Sequence, residues 1–342
     1  MRLAIKRWPA MFANGTMSDS LRILVIRLGA MGDIFHTMPA VASLRQGLPA
    51  SEITWVVEKK WLPILEGCPF VNQVVTLDRT SFGTVAASIG RLRAASFDLA
   101  VDFQGLLKSA LIAFGSGAGK RMGYTRDHLR EPLAGLFYTE AHTPKSVHMV
   151  DKHLELAAVA GRTTKPKFYL PQGRAEGPLP PEPFVLSCPQ AGWGAKQWPA
   201  SYYRELGDLL KDEMGLTLVL NGPPGAEDQL RAMGSVHAHC SGLPGLIHAT
   251  RRAVAVVGLD SGPVHMAAAI GKPGVAIFGP TDPSRNGPYG GTISVLRTPD
   301  AETTYKRGEE ENTAMRSITP RMVVDELKRC LTTYSPNPTP TR

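Results

Sequence analysis

The sequence predicts an α/β protein of two doubly wound, parallel-sheet lobes. Three observations carry that prediction. Short apolar runs of the kind found in buried strands alternate with helix-like patterns in both halves of the chain, the pattern of βαβ units. A Pro- and Gly-rich stretch at 163–184 separates the halves and reads as a linker. The length of 342 residues suits about two domains.

The first half opens on the buried-strand run ILVIRL at 23–28, followed by the glycine turn GAMGD and a helical pattern over 34–48. Residues 53–57 and 74–77 read as strands, 85–95 as a helix and 99–102 as another strand. After the linker the pattern restarts. Residues 185–187 form a short strand, followed by the loop CPQAGWGAKQWP and a helix over 202–215. Strands are expected at 216–220, 253–258 and 275–278, each followed by a polar, glycine-bearing loop. Residues 321–334 read as a terminal helix. The expected boundaries are a loose extension at 1–20, a first lobe at 21–165, a linker at 166–183, a second lobe at 184–320 and the closing helix at 321–334. Ligands in such sheets bind beyond the carboxyl ends of the strands, so the loops there are where chemistry is expected.

A hydrophobic share of 43% and a charged share of 20% fit a globular chain, not a disordered, collagen-like or disulfide-stapled one. No run reaches the roughly 18–20 apolar residues of a membrane span. The first twenty residues are basic without a continuous apolar core, so no secretory signal is expected, and Met17 is an alternative start. The four cysteines form no CxxC pair, which indicates neither a zinc ribbon nor a disulfide framework and fits a reducing, cytoplasmic compartment. Charge is uneven: residues 1–170 carry 21 Lys+Arg against 13 Asp+Glu, while residues 171–342 carry 17 of each. The basic half reads as a solvated surface or as one that meets an anion such as a phosphorylated headgroup.

Several motifs exclude function classes. GSGAGK at 115–120 is followed by Arg121 where a phosphate-binding P-loop has Ser or Thr, and it also misses the dinucleotide pattern, so a plain connection is the better reading. GAMGD lacks the third glycine of a nicotinamide-binding turn. No D-x-D triplet offers a clamp for a metal–diphosphate, and no HExxH occurs.

Three loops have a positive chemical case. Asp33 sits where a strand gives way to a helix; it reads either as a helix cap or as a general base at a cleft mouth. His36, one turn on, reads as a packed side chain or a substrate contact. In LDSGPVH at 259–265, Ser261 and Gly262 would offer backbone N–H groups to a phosphate at a helix start. There Asp260 could accept sugar hydroxyls and His265 could donate to a phosphate oxygen, or Asp260 and Ser261 could simply cap the helix. In PQAGWGAKQWP, Lys196 is a candidate cation for a diphosphate leaving group, or a surface lysine. GPTDP at 279–283 reads by itself as a turn.

Taken together, RLGAMGDIFHTMPA, PQAGWGAKQWP, GLDSGPVHMAAA and FGPTDP resemble, in order and spacing, the ADP-heptose:lipopolysaccharide heptosyltransferases of glycosyltransferase family nine. DFQGLLKSA at 102–110 and REPLAGLFY at 130–138 strengthen the likeness to the type I branch, and the resemblance spans about residues 21–334. It implies a GT-B fold: two Rossmann-like lobes facing across a cleft, with the last helix returning to the first lobe. It implies inverting transfer of heptose from ADP-L-glycero-D-manno-heptose to the Kdo residue of a phosphorylated lipid A inner core. Asp33 matches the catalytic aspartate of the family. Lys196, Asp260, Ser261, Gly262 and His265 match its donor site, and Glu227 approximately matches a glutamate near the donor ribose. Lys108, Arg121, Arg126 and Arg130 are the acceptor candidates. No metal is required, with Mg²⁺ left as a stimulant, and the expected state is a nucleic-acid-free monomer at the inner face of the inner membrane. The charged segment 299–319 departs from the type I pattern. The competing readings are a family nine enzyme for another nucleotide sugar or acceptor, and a non-catalytic basic anion-binding protein.

Overall fold

The computed structural model describes residues 21–77, 82–160, 165–190, 192, 194–234, 236–299, 301–304 and 313–334. The first lobe runs β1 (Arg22–Ile26), α1 (Met31–Gly47), β2 (Glu52–Glu58), β3 (Gln73–Leu77), α2 (Phe82–Ala94), β4 (Leu99–Asp102), α3 (Leu107–Gly115), β5 (Lys120–Tyr124), β6 (Glu140–His142) and α4 (Met149–Ala160). The second runs β7 (Phe184–Cys188), α5 (Ala200–Met214), β8 (Thr217–Gly222), α6 (Glu227–Arg231), β9 (His237–Cys240), α7 (Leu243–Arg252) and β10 (Ala255–Leu259). It continues with α8 (Gly262–Ala269), β11 (Gly274–Ile277), α9 (Pro283–Asn286), β12 (Ile293–Leu296), α10 (Thr313–Ser317) and α11 (Pro320–Thr333).

Among the described residues each lobe holds one six-stranded parallel sheet, in the orders β3-β2-β1-β4-β5-β6 and β12-β11-β10-β7-β8-β9. Within its own lobe each sheet follows the 3-2-1-4-5-6 order of a Rossmann fold, as the alternation predicts. The strand order therefore reverses between β1 and β4, and between β7 and β10, which is where such sheets bind ligands.

Both faces of each sheet are covered, and the strand sequences show it. In β1, Ile23 and Val25 face α1, while Leu24 and Ile26 pack with Leu92, Phe97 and Ile112 on the other side. In β10, Ala255, Val257 and Leu259 face Leu206, Leu210 and Val323, while Val256 joins Val264 and Met266. One buried apolar cluster continues from α1 through Leu170 to α7 and α8, so it joins the two lobes.

The linker is tied to both lobes. The Tyr169 hydroxyl donates to the Glu66 carbonyl at 2.9 Å, and the Arg251 Nε donates to the Pro171 carbonyl at 2.7 Å. Glu176 accepts the Gly242 N–H at 2.8 Å. At Gly173, with φ +71°, a Cβ would lie 2.4 Å from the Pro244 carbonyl, so only glycine lets the strap lie this close.

The structure corrects the expected place of the last helix. Helix α11 does not return to the first lobe; it packs on α5 and the β11–β12 side of the second sheet. Its stripe of Val323, Val324 and Leu327 shares a core with Tyr203, Leu206 and Leu210, and Arg321 and Lys328 each pair with Glu213 at 2.6 Å. The helix is thus held by an apolar face that fits its own lobe. Helix α1 starts at Met31 rather than Ile34. Residues 115–120 form the plain passage from α3 into β5. The 1–20 extension and residues 300 and 305–312 of the charged segment lie outside the described residues.

Candidate active site

The first half of the site grows from the end of β1. Arg27 follows the apolar strand and is only 6% exposed. Its Nη1 donates to the Phe103 carbonyl at 2.7 Å, its other terminal nitrogen ion-pairs with Asp33, and the Trp55 indole donates to its carbonyl at 3.1 Å. Asp33 stands in the first turn of α1, where its Oδ2 also accepts the Ala30 N–H at 3.2 Å. The helix-cap reading is met through this Oδ2, with Ala30 as the N-cap residue and Asp33 three places on, and the Asp33 side chain is 44% exposed.

Asp33 borders a cavity of about 250 Å³ whose wall includes Arg27, Gln104, Arg130, Lys152 and, from the second lobe, Arg285. Its floor is fixed by buried Asp102, which accepts from Gln104 N at 2.8 Å, Gly105 N at 3.2 Å and the Tyr138 hydroxyl at 2.7 Å. Burial pushes the Asp102 carboxyl up, against the pull of Tyr138, Ser109 and the backbone donors.

The second half lies where β7 and β10 part. Lys196, from the loop after β7, places its Nζ 2.5 Å from Asp260 Oδ2, just past β10. The Thr281 hydroxyl donates to the same oxygen at 2.6 Å, and His265 Nε2 lies 3.8 Å from Oδ1. Burial alone would raise the Asp260 carboxyl, but His265 and Lys196 hold it well below the usual carboxylate range. Ser261 is the N-cap residue of α8 but its side chain makes no capping bond, and Gly262 and Pro263 form the first turn. That end of α8 lies against Met31 of α1 and carries no side-chain cap from Ser261, which suits an anion. Glu227 opens α6 beyond β8, exposed, on the same carboxyl edge of the sheet. Ala191 and Trp193 of the lysine loop lie outside the described residues.

The two halves meet directly. A Cβ on Gly32 would lie 2.6 Å from His265 Cδ2, and one on Gly262 would lie 2.6 Å from Met31 Cβ. The His36 ring sits 4.5 Å from that of His265 and 5.5 Å from that of His148. His36 is buried with neither nitrogen hydrogen-bonded; burial, then the neighbouring histidines, holds it well below its usual pKa. It is a packing residue at the lobe junction. Two polar ties cross the junction nearby, His148 Nε2 to the Gly287 carbonyl at 3.1 Å and the Tyr289 hydroxyl to Asp151 at 2.8 Å.

Of the four acceptor candidates, Arg130 lines the cavity. Lys108 lies 3.9 Å from Glu58, outside the cavity wall. Arg121 spends its guanidinium on the carbonyls of Phe137 and Ala118, both at 2.8 Å. Arg126 packs beside Gly135, away from the wall. The structure adds Arg27, Lys152, Arg285 and Thr281. The lone charge within the run ILVIRL was a signal for Arg27; nothing local marks Thr281, Lys152 or Arg285. Among the described residues, no group of three or more His, Cys, Asp or Glu is placed to hold a metal.

Two Rossmann-like lobes, each with a six-stranded parallel sheet, that meet where α1 and α8 begin define the GT-B class of glycosyltransferase fold. Residues 85–315 match the glycosyltransferase family 9 (heptosyltransferase) pattern, and the chain belongs to that family. It is 30% identical over 301 residues to lipopolysaccharide heptosyltransferase 1 of Escherichia coli K12, covering 82% of this chain and 94% of that one. Identity to the protein of the same description from Pseudomonas aeruginosa is 29%, covering 79% and 82%. Among solved structures, E. coli heptosyltransferase WaaC with ADP superposes with a TM-score of 0.73 at 27% identity, covering 91% of this chain and 100% of that one. The same enzyme with ADP-2-deoxy-2-fluoro heptose gives 0.73 at 27% identity, covering 90% and 99%.

Proposed function

We propose that this chain transfers heptose from ADP-L-glycero-D-manno-heptose to the Kdo residue of a phosphorylated lipid A inner core, inverting the anomeric centre. The observation that carries the reading is the abutment of two helix starts, α1 with Asp33 and α8 with the Asp260–His265 turn, beside a cation-lined cavity. The named activities of the relatives and the ADP-bound structures support the donor assignment.

The donor diphosphate rests on the start of α8, with Lys196 and His265 as the cationic and donor groups. The acceptor hydroxyl enters beside Asp33. As its oxygen bonds to the anomeric carbon from the face opposite ADP, its proton passes to Asp33. The anomeric C–O bond breaks, its electron pair goes to the β-phosphate oxygen, and ADP leaves. Asp33 need not be strongly basic, because the attacking hydroxyl acidifies as its bond forms. Charge on the departing diphosphate is met by Lys196 and the α8 amides, so this scheme uses no metal. Arg130, Lys152 and Arg285 hold the acidic acceptor. The enzyme works as a monomer at the cytoplasmic face of the inner membrane; no helix among the described residues is long and apolar enough to cross a bilayer.

Incubation with ADP-heptose and Kdo-lipid A, read by mass spectrometry, should show one added heptose. No added mass with this pair, together with thermal stabilisation by another nucleotide sugar, would replace the donor.

A further inference from the structure

Four of the large apolar side chains exposed among the described residues lie on two elements packed side by side. On α3, Leu111 is 43% and Phe114 56% exposed; on the 3-10 turn Pro132–Phe137, Leu133 is 64% and Leu136 60% exposed. Spacing explains the display. Leu111 and Phe114 are three apart on a helix, and Leu133 and Leu136 are three apart on a turn with three residues per repeat, so each pair shares an outward face. Helix α3 buries Ala110, Ile112 and Ala113 against the sheet and still turns leucine and phenylalanine to the solvent side. Phe137 meets the Phe114 ring edge-on at 5.7 Å, which joins the two elements into one surface.

The surroundings are cationic. The Arg121 guanidinium lies 5.6 Å from the Phe114 ring centre, Arg126 packs against Gly135 of the turn, and Lys108 and Arg130 flank the two elements. The acidic neighbours are Asp127, Glu131 and Glu58; Glu131 is engaged by the Leu107 N–H at 2.6 Å, and Glu58 lies 3.9 Å from Lys108. The patch also borders the cavity beside Asp33, whose wall includes Leu106, Leu129 and Arg130.

We infer that the surface formed by Leu111, Phe114, Leu133 and Leu136, within its rim of Lys108, Arg121, Arg126 and Arg130, docks on an anionic lipid bilayer. The inference deepens the function proposed above and rests on it for the orientation. Exposed apolar groups enter the headgroup boundary while the cations meet the anionic lipids. In that pose the cavity mouth lies at the bilayer surface, within reach of a sugar carried on a membrane-embedded lipid.

The test is sedimentation with phosphatidylcholine vesicles, with and without phosphatidylglycerol, in the absence of any acceptor. The wild type should bind the anionic vesicles, and added salt should weaken binding. The variant Phe114→Ser/Leu133→Ser/Leu136→Ser should lose binding by about tenfold or more. Leu133→Ser alone serves as a milder variant should the triple one melt early. Each variant should melt like the wild type and turn over a water-soluble deacylated Kdo acceptor at the wild-type rate. Unchanged vesicle binding by the variants overturns the inference. So does failure of the wild type to bind anionic vesicles, binding only when lipid A acceptor is present, or loss of a self-association instead. Patch-dependent vesicle binding without heptose transfer to the soluble acceptor supports the docking surface and overturns the enzymatic reading alone.

Discussion

Gly32 of α1 lies against the His265 ring of α8, so that a β-carbon on the glycine would sit 2.6 Å from Cδ2 of the imidazole. The contact sets how closely the first-lobe carboxylate approaches the second-lobe cradle. Gly32→Ala should therefore keep the fold, since alanine suits a helix better than glycine. It should lower turnover by about a hundredfold by displacing His265 or the lobes. Gly262→Ala, which would press on Met31, should behave alike. Paired measurements of melting temperature and turnover check both, and wild-type turnover in either variant would refute the role given to the contact.

Asp33→Ala should cut turnover by about 10²–10⁴-fold while ADP-heptose still raises the melting temperature. Arg27→Gln removes the partner that orients Asp33. It should lower kcat more than it raises the donor KM. Steady-state kinetics separate the two effects.

Lys196→Ala strands the buried Asp260 carboxylate and should cost about 3–5 kcal/mol of stability along with donor affinity. Asp260 titrates below its unfolded value in the folded chain. Its stabilisation is thus complete above pH of about 4 and is lost as pH falls through the depressed folded pKa. Asp260→Asn should flatten this acid limb of the stability curve, as followed by chemical denaturation from neutral pH downwards. Glu155 adds to the same limb. Burial would raise it, yet donors from Ser146, Lys145 and His142 bring its pKa to about 2, so its share fades between about 4.5 and that value.

Arg285→Ala should raise the acceptor KM by about tenfold and leave donor binding unchanged, because Arg285 lines the Asp33 cavity from the second lobe. Isothermal titration with ADP and kinetics with varied acceptor distinguish the two. A change confined to the donor would relocate Arg285 to the other half of the site.

The alternation of apolar runs revealed both sheets because parallel strands covered on two faces must be apolar throughout, as in ILVI and AVVG. The outer strands β5, β6 and β12 were harder to read. They are short and partly exposed, as KRMGY and EAH show, so burial imposes no clear pattern on them. Asp33, Lys196 and Asp260 were legible because each follows a strand at a point where the strand order reverses. Lys152 and Arg285 were not, since they meet only when α4 and α9 are brought together across the cleft. The amphipathic stripe of helix α11 states that the helix packs, and not on which lobe.

The apolar cluster that passes from α1 through Leu170 into α7 and α8 has a consequence for heating. Pulling the halves apart would break this shared core, which couples the melting of one half to that of the other. A scanning calorimeter should accordingly record one endotherm, with equal van't Hoff and calorimetric enthalpies.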